Sequence, residues 1–170
     1  MTSAQRRDAI LQQLHTSEKP ISATALAAQL GVSRQVIVGD VALLRAGGVD
    51  IQATPRGYVM GADRPGITAV LPCVHSREDM ARELYIMVDH GAEVLDVSVE
   101  HPVYGQLTGQ LLLRSRYDVD QFLAKAEGCA PLSALTGGIH LHTVRCPDED
   151  TLHRVTSTLQ AEGYLLPQED

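Results

Sequence analysis

Ser22 and Ser33, with Gly31 between them, constrain this chain more than any other feature of its sequence. A serine at Ser22 is placed to cap a helix through residues 23–30, because its oxygen accepts one of the unpaired N–H groups of a first turn. Gly31 follows at once, and glycine readily takes the left-handed conformation that ends a helix. Ser33 then opens a further helix through Arg45, with Val36, Ile37, Val41 and Leu44 as its buried stripe. Upstream, Ala9, Ile10 and Leu14 place a first helix over residues 4–15. Two short helices about a tight glycine turn form a helix-turn-helix pattern. Val49–Ala53 and Gly57–Met60 read as strands around Thr54-Pro55-Arg56-Gly57, a hairpin in the position of a wing. The candidate DNA contacts are Ser33, Arg34 and Gln35 at the start of the recognition helix, Arg45 near its end and Arg56 at the wing tip. Gly39 stands out within that helix: it costs about 1 kcal/mol relative to alanine and presents no side chain to a groove.

The net charge of −7 argues against a nucleic-acid partner until it is divided along the chain. Residues 1–60 carry six Lys/Arg against four Asp/Glu, and residues 61–170 carry eight against seventeen. A basic face needs only local charge, since screening over about 8–10 Å lets an acidic neighbour coexist with it. The split predicts two domains with different partners, over residues 1–62 and 63–170, with Gly61–Gly66 as linker. No apolar run approaches the roughly 18 residues of a membrane span, and no signal-peptide core follows Met1–Arg7, so a cytoplasmic protein is expected. Cys73, Cys129 and Cys146 are odd in number and far apart, which fits neither a disulfide framework nor a thiolate zinc knuckle.

Beyond the linker the periodicity alternates. Strand patterns cover 67–74, 93–99, 107–113 and 139–144, and helical ones cover 76–90, 118–127 and 148–162. The order β-α-β-β-α-β plus one helix predicts an α+β domain of the ferredoxin-like type, an antiparallel sheet with helices on one face. The whole chain is thus expected to be a two-domain α/β protein. In the ferredoxin-like strand order 4-1-3-2, His75 at the end of strand one, His101 at the end of strand two and His140 at the start of strand four meet at one edge of the sheet. His140 and His142 are two apart on a strand and project from one face. Glu83 flanks the apolar stripe Met80, Leu84, Met87, Val88 of a helix that Ser76 and Asp79 are placed to cap. A carboxylate turned toward a core costs several kcal/mol unless it is paired or bound to a metal. Glu83 therefore pairs with a base such as Arg82 or Arg116, or joins His75, His140 and His142 as ligands suited to zinc, nickel, cobalt or ferrous iron.

Residues 4–60 resemble the helix-turn-helix family at the N-termini of biotin-operon and sugar-operon repressors. The runs Val74-His75-Ser76-Arg77-Glu78, Val99-Glu100-His101-Pro102-Val103-Tyr104-Gly105 and Gly137-Gly138-Ile139-His140-Leu141-His142-Thr143 resemble the hallmarks of the three-histidine domain. Joined to a winged helix, that domain resembles the nicotinate-responsive repressors of the NiaR type along essentially the whole chain. The resemblance implies a homodimeric repressor of NAD-biosynthesis and niacin-uptake genes that binds double-stranded operator DNA, with no enzymatic activity and no membrane partner. It implies one divalent metal per subunit, nickel or zinc, at His75, Glu83, His140 and His142. Nicotinic acid is implied as co-repressor, with His101, Tyr104 and Arg82 as effector residues; His101 either lines the effector pocket or orients a metal ligand. Ile139, Leu141 and Leu112 point away from the helices as a candidate dimer surface. Two other readings use the same residues: a metal sensor whose effector is the ion itself, and a metal-dependent enzyme with Glu100 as the sole candidate base.

Overall fold

The computed structural model describes residues 1–61 and 65–167, and the centre of the expected linker, with the domain boundary, lies outside them. The chain divides into two compact units, Met1–Asp63 and Arg64–Asp170.

In the first unit Thr2 caps α1 (Ser3–Thr16) in a reciprocal box with Gln5. Ser22 and Ser33 cap α2 (Ala23–Leu30) and α3 (Arg34–Ala46) by accepting from the backbone N–H of Ala25 and Val36. Gly31 ends α2 in the left-handed region at φ 66°. The hairpin β1 (Ile51–Thr54) and β2 (Gly57–Met60) forms the wing. Tyr58 in β2 exchanges backbone hydrogen bonds with Ile21 at 2.8 and 2.9 Å. A side chain at Gly57 would meet the Ile21 backbone at 2.4 Å, so this close approach requires glycine.

Ile10, Leu14, Leu26, Ile37, Val41 and Ile51 fill the core of this unit. Val36 is not part of the stripe expected of it: it is 38% exposed, while Ile37 and Val41 are buried. At 3.6 residues per turn, the phase that carries Ile37 and Val41 inward takes Val36 outward and Asp40 inward. Asp40 is buried and receives Arg6 Nε at 2.5 Å and Arg7 Nη1 at 3.5 Å, which ties α1 to the recognition helix.

The second unit is built from β3 (Ile67–Val74), α4 (Met80–Asp89), β4 (Glu93–His101), β5 (Gly105–Leu113), α5 (Arg116–Ala126), β6 (Ile139–Cys146) and α6 (Glu149–Ala161), with short 3₁₀ turns at Arg77–Asp79 and Leu132–Thr136. The two-domain architecture, the antiparallel sheet and the order of elements are those expected. The lateral strand order is not: it runs β3-β6-β4-β5, so the last strand lies inside the sheet instead of at its edge. His140, His142, Val144 and Cys146 alternate along β6 and all are buried under the helices, a pattern that fixes the face they share and not the lateral place of the strand. β6 pairs with β3 from Ile67↔Cys146 to Val74↔Ile139 and with β4 from Glu93↔Arg145 to Ser98↔Leu141. The outer edge of β3 is covered by the C-terminal segment, where Val74 N–H donates to Tyr164 and Leu166 N–H to Pro72.

α4, α5 and α6 contribute Leu84, Met87, Val119, Val155 and Leu159 to one core with Leu71, Val94, Leu111, Leu113 and Val144. On the opposite face Val70, Ile139 and Leu141 stay exposed, and Leu112 is half-buried. Ser76 makes no side-chain cap; the 3₁₀ turn precedes α4 instead, and Ser76 Oγ donates to Asp79.

Replacing Asp40 with alanine is expected to lower the unfolding free energy by about 1.5–3 kcal/mol, the range for hydrogen bonds to charged groups. Urea unfolding of the full chain followed by circular dichroism measures it. A loss below ~0.5 kcal/mol would reduce the pair to an ordinary surface ion pair.

Candidate metal centre

β3, β6 and α4 each deliver part of one buried cluster. His75 follows the last residue of β3, His140 and His142 lie two apart on β6, and Glu83 lies on the inner face of α4 beside Leu84 and Met87. The Glu83 side chain is 0% exposed, and those of His75, His140 and His142 are 3%, 2% and 4% exposed.

Each ring is oriented by the backbone. His75 Nδ1 lies 2.7 Å from the Ser76 carbonyl, His140 Nδ1 2.8 Å from that of Gly138, and His142 Nδ1 2.8 Å from that of Asp96. A carbonyl oxygen only accepts, so every Nδ1 carries a proton and donates it. The other nitrogen of each neutral ring is then a lone pair, and all three turn to Glu83. His75 Nε2 is 2.5 Å from Oε2, His140 Nε2 is 3.0 Å from Oε1, and His142 Nε2 is 3.4 Å from Oε2.

Local irregularities make these bonds possible. A register shift between Val94 and Asp96 interrupts the pairing of β4 with β6, and Asp96 there supplies its carbonyl to His142 and its side chain to the Thr143 N–H. Bulges of this kind re-aim groups beside functional sites. Gly138 has φ +95°, and a Cβ on it would lie 2.6 Å from the His75 carbonyl oxygen. Glycine there lets the start of β6 approach the end of β3 while its own carbonyl orients His140. Tyr164 closes the cluster, its ring edge-on to His75 at 5.6 Å and its hydroxyl donating to Asp79.

Lone pairs facing a carboxylate repel unless a proton or cation lies between them. With protons the three rings would be imidazolium, and one carboxylate cannot neutralise three buried cations. The electrostatics follow this conflict. Burial opposes ionisation of Glu83, yet the charge of His142 and hydrogen bonds from the three rings outweigh it and hold its carboxyl well below the ordinary range. Burial likewise opposes charge on His75 and His142, and Glu83 overcomes it, raising both. The donor set, three imidazole nitrogens and a carboxylate oxygen, suits a borderline divalent transition ion. Cys73 on β3 also belongs here: its sulfur and donor atoms of Glu83 and His140 all lie within 4.8 Å of one another. Burial, and then the charge of Glu83, push its thiol far upward.

The structure thus brings together His75, Glu83, His140 and His142. Glu83 contacts neither Arg82 nor Arg116, which pair instead with Glu162 and Asp89. His101 lies at the same end of the sheet, but its Nδ1 accepts from the N–H groups of Val103 and Tyr104 in its own hairpin, and Tyr104 is exposed. Among the described residues no hydrogen bond, ion pair or ring contact joins Arg82, His101 or Tyr104 to the cluster. In the first unit Ser33, Arg34 and Gln35 are exposed at the start of α3. Arg45 donates through Nε to the Ile51 carbonyl at 2.7 Å, bracing the wing, and Arg56 lies in the wing turn. Asp96 and Tyr164 carried no recognisable pattern in the sequence. For Cys73 the signal was parity, since it lies two before His75 and pairs with His140.

Residues 68–168 match the 3H domain family, and residues 6–59 match a helix-turn-helix domain. The chain is 41% identical over 169 residues to the "Probable transcription repressor NiaR" of Thermotoga maritima, covering 96% of this chain and 95% of that protein. It is 39% identical over 172 residues to the "Transcription repressor NadR" of Bacillus subtilis, covering 98% and 96%.

The raised imidazoles stabilise the metal-free fold fully below their ordinary pKa of about 6.5, and this contribution is lost as pH rises through their raised values. The lowered Glu83 contributes above about pH 4.3 and loses its effect only as pH falls through its depressed value. The melting temperature of chelator-treated protein is therefore expected to fall as pH rises above about 6.5. Glu83→Gln should flatten that fall; an unchanged slope in the variant would dissociate the pH dependence from this cluster.

Proposed function

This chain belongs to the NiaR-type family of transcription repressors, and we propose that its C-terminal unit holds one nickel or zinc ion at His75, Glu83, His140 and His142 and takes nicotinic acid as co-repressor. The relatives it matches are repressors and not enzymes, and its helix-turn-helix makes it a DNA-binding repressor. No helix among the described residues is long and apolar enough to cross a membrane.

The observation that supports the metal is the commitment of every Nδ1–H to a backbone carbonyl, which turns three Nε2 lone pairs onto one buried carboxylate. Backbone partners of this kind fix the tautomer and direction of a ligand before the ion arrives. The ion would supply a Lewis-acidic centre that favours a pyridine nitrogen or a carboxylate. His101 and Tyr104, at the same end of the sheet, are the residues proposed to meet the effector. Arg82 would have to exchange its partner Glu162 for the carboxylate of the effector.

Operator contact is assigned to Ser33, Arg34 and Gln35, with Arg56 on the wing and the exposed side of Arg45 on the flanking backbone. Paired half-sites require two copies of the recognition helix, and the apolar face of Val70, Ile139 and Leu141 is proposed as the surface that joins a homodimer. The genes proposed to be repressed are those of NAD biosynthesis and niacin uptake. A second reading, with the metal itself as effector, draws support from the near-complete burial of the four ligands, which leaves little of the centre open to a small molecule.

A thermal-shift titration of nickel- or zinc-loaded protein separates the two. At 100-fold excess over its dissociation constant, nicotinate is expected to stabilise by about 2.7 kcal/mol, or roughly 5–10 °C at this size, and nicotinamide by less. If nicotinate leaves the melting temperature unmoved while metal alone changes operator binding, the metal-sensor reading replaces this one.

A further inference from the structure

Charge balance in the buried cluster leads to Cys73. A divalent ion held by three neutral imidazoles and one carboxylate retains one uncompensated positive charge, in a site whose side chains are at most 4% exposed. Such a charge is costly away from water. A thiolate inside the cluster would compensate it without opening the site, and Cys73 stands there with Glu83 and His140.

Its placement fits. Cys73 is 0% exposed, pairs with His140 across β3 and β6, and is followed two residues later by His75. Ligand bonds to such an ion run about 2.0–2.3 Å. The Cys73 sulfur and the donor atoms of Glu83 and His140, within 4.8 Å of one another, therefore need movements of roughly half an ångström to meet on one centre. The thiol is held by a weak contact to the Leu71 carbonyl at 3.5 Å, which opposes such a movement little.

We propose that Cys73 is a further ligand of this metal centre, a soft sulfur donor beside His75, Glu83, His140 and His142. On binding, the S–H bond breaks, a sulfur–metal bond forms and the proton leaves to solvent; the metal stays divalent and nothing is oxidised. One thiolate and one carboxylate then neutralise the ion. Sulfur also biases the centre toward nickel, zinc or cobalt and away from magnesium and manganese. The other cysteines do not share this geometry: Cys146 is buried at the opposite end of β6, and Cys129 is exposed.

The inference rests on the metal reading above, and cobalt substitution of the full chain tests the two separately. Metal content and the near-ultraviolet absorption are measured on the same samples, with circular dichroism and melting temperature as controls for folding. The wild-type protein is expected to bind one equivalent of cobalt and show a sulfur-to-cobalt charge-transfer band. Cys73→Ser and Cys73→Ala should lose the band and bind cobalt roughly 10–100-fold more weakly; Cys129→Ser and Cys146→Ser should keep both. Bound cobalt with no band in the wild type, or a band that survives in both Cys73 variants, overturns the assignment of Cys73 and leaves the metal site standing. Failure of the folded wild type to bind cobalt, nickel or zinc overturns both.

Discussion

Three hydrogen bonds from imidazole Nδ1–H groups to backbone carbonyls govern the buried cluster of the C-terminal unit. They come from different places: Ser76 beyond β3, Gly138 before β6, and Asp96 at a bulge in β4. Each takes one nitrogen of a ring out of play and leaves the other as a lone pair. Together they make an arrangement that cannot relax by rotating a ring without breaking its hydrogen bond to the backbone, worth about 0.5–1.5 kcal/mol. The electrostatic conflict around Glu83 is therefore built into the backbone, and the proposed cation would resolve it.

The sheet is arranged to hold those bonds. With β6 between β3 and β4, His140 and His142 have a strand on each side, and the three accepting carbonyls lie on β4 or in the turns next to β3 and β6. At the edge of the sheet, β6 would lose one of these neighbours. Gly138 and the break in register at Asp96 are small departures from regular structure, and each lies beside a histidine of the cluster. Strain and irregularity of this kind accumulate where function depends on direction. The DNA-binding unit uses a comparable device in Asp40, which is buried on the recognition helix and fixed by Arg6 and Arg7 on α1.

Much of this was legible in the residues. Ser22, Gly31 and Ser33 acted at their own positions, through capping and a left-handed turn, so the helix-turn-helix could be read locally. The parity of His140 and His142 with Val144 placed both rings on the helix-covered face, and His75 and His101 fell at the same end of the sheet because strands one and two run parallel in either order. The strand order itself was not readable, because it depends on how long-range pairings compete, and the C-terminal segment that covers β3 carries no periodic signal. Val36 was misplaced by one step of helical phase, with buried Asp40 taking the inward position. The hydrogen bond from Arg45 Nε to the Ile51 carbonyl was not readable either, because it depends on where the hairpin returns. Cys73 looked inert because cysteines were weighed by their spacing from one another and not from the histidines.

X-ray absorption at the metal edge of the nickel-loaded full chain tests most directly whether the imidazoles converge on an ion. The account predicts a first shell that includes nitrogen, with the outer-shell scattering of several histidine rings behind it. A shell of oxygen alone, with no imidazole scattering, would contradict it and reduce the cluster to a buried hydrogen-bond network.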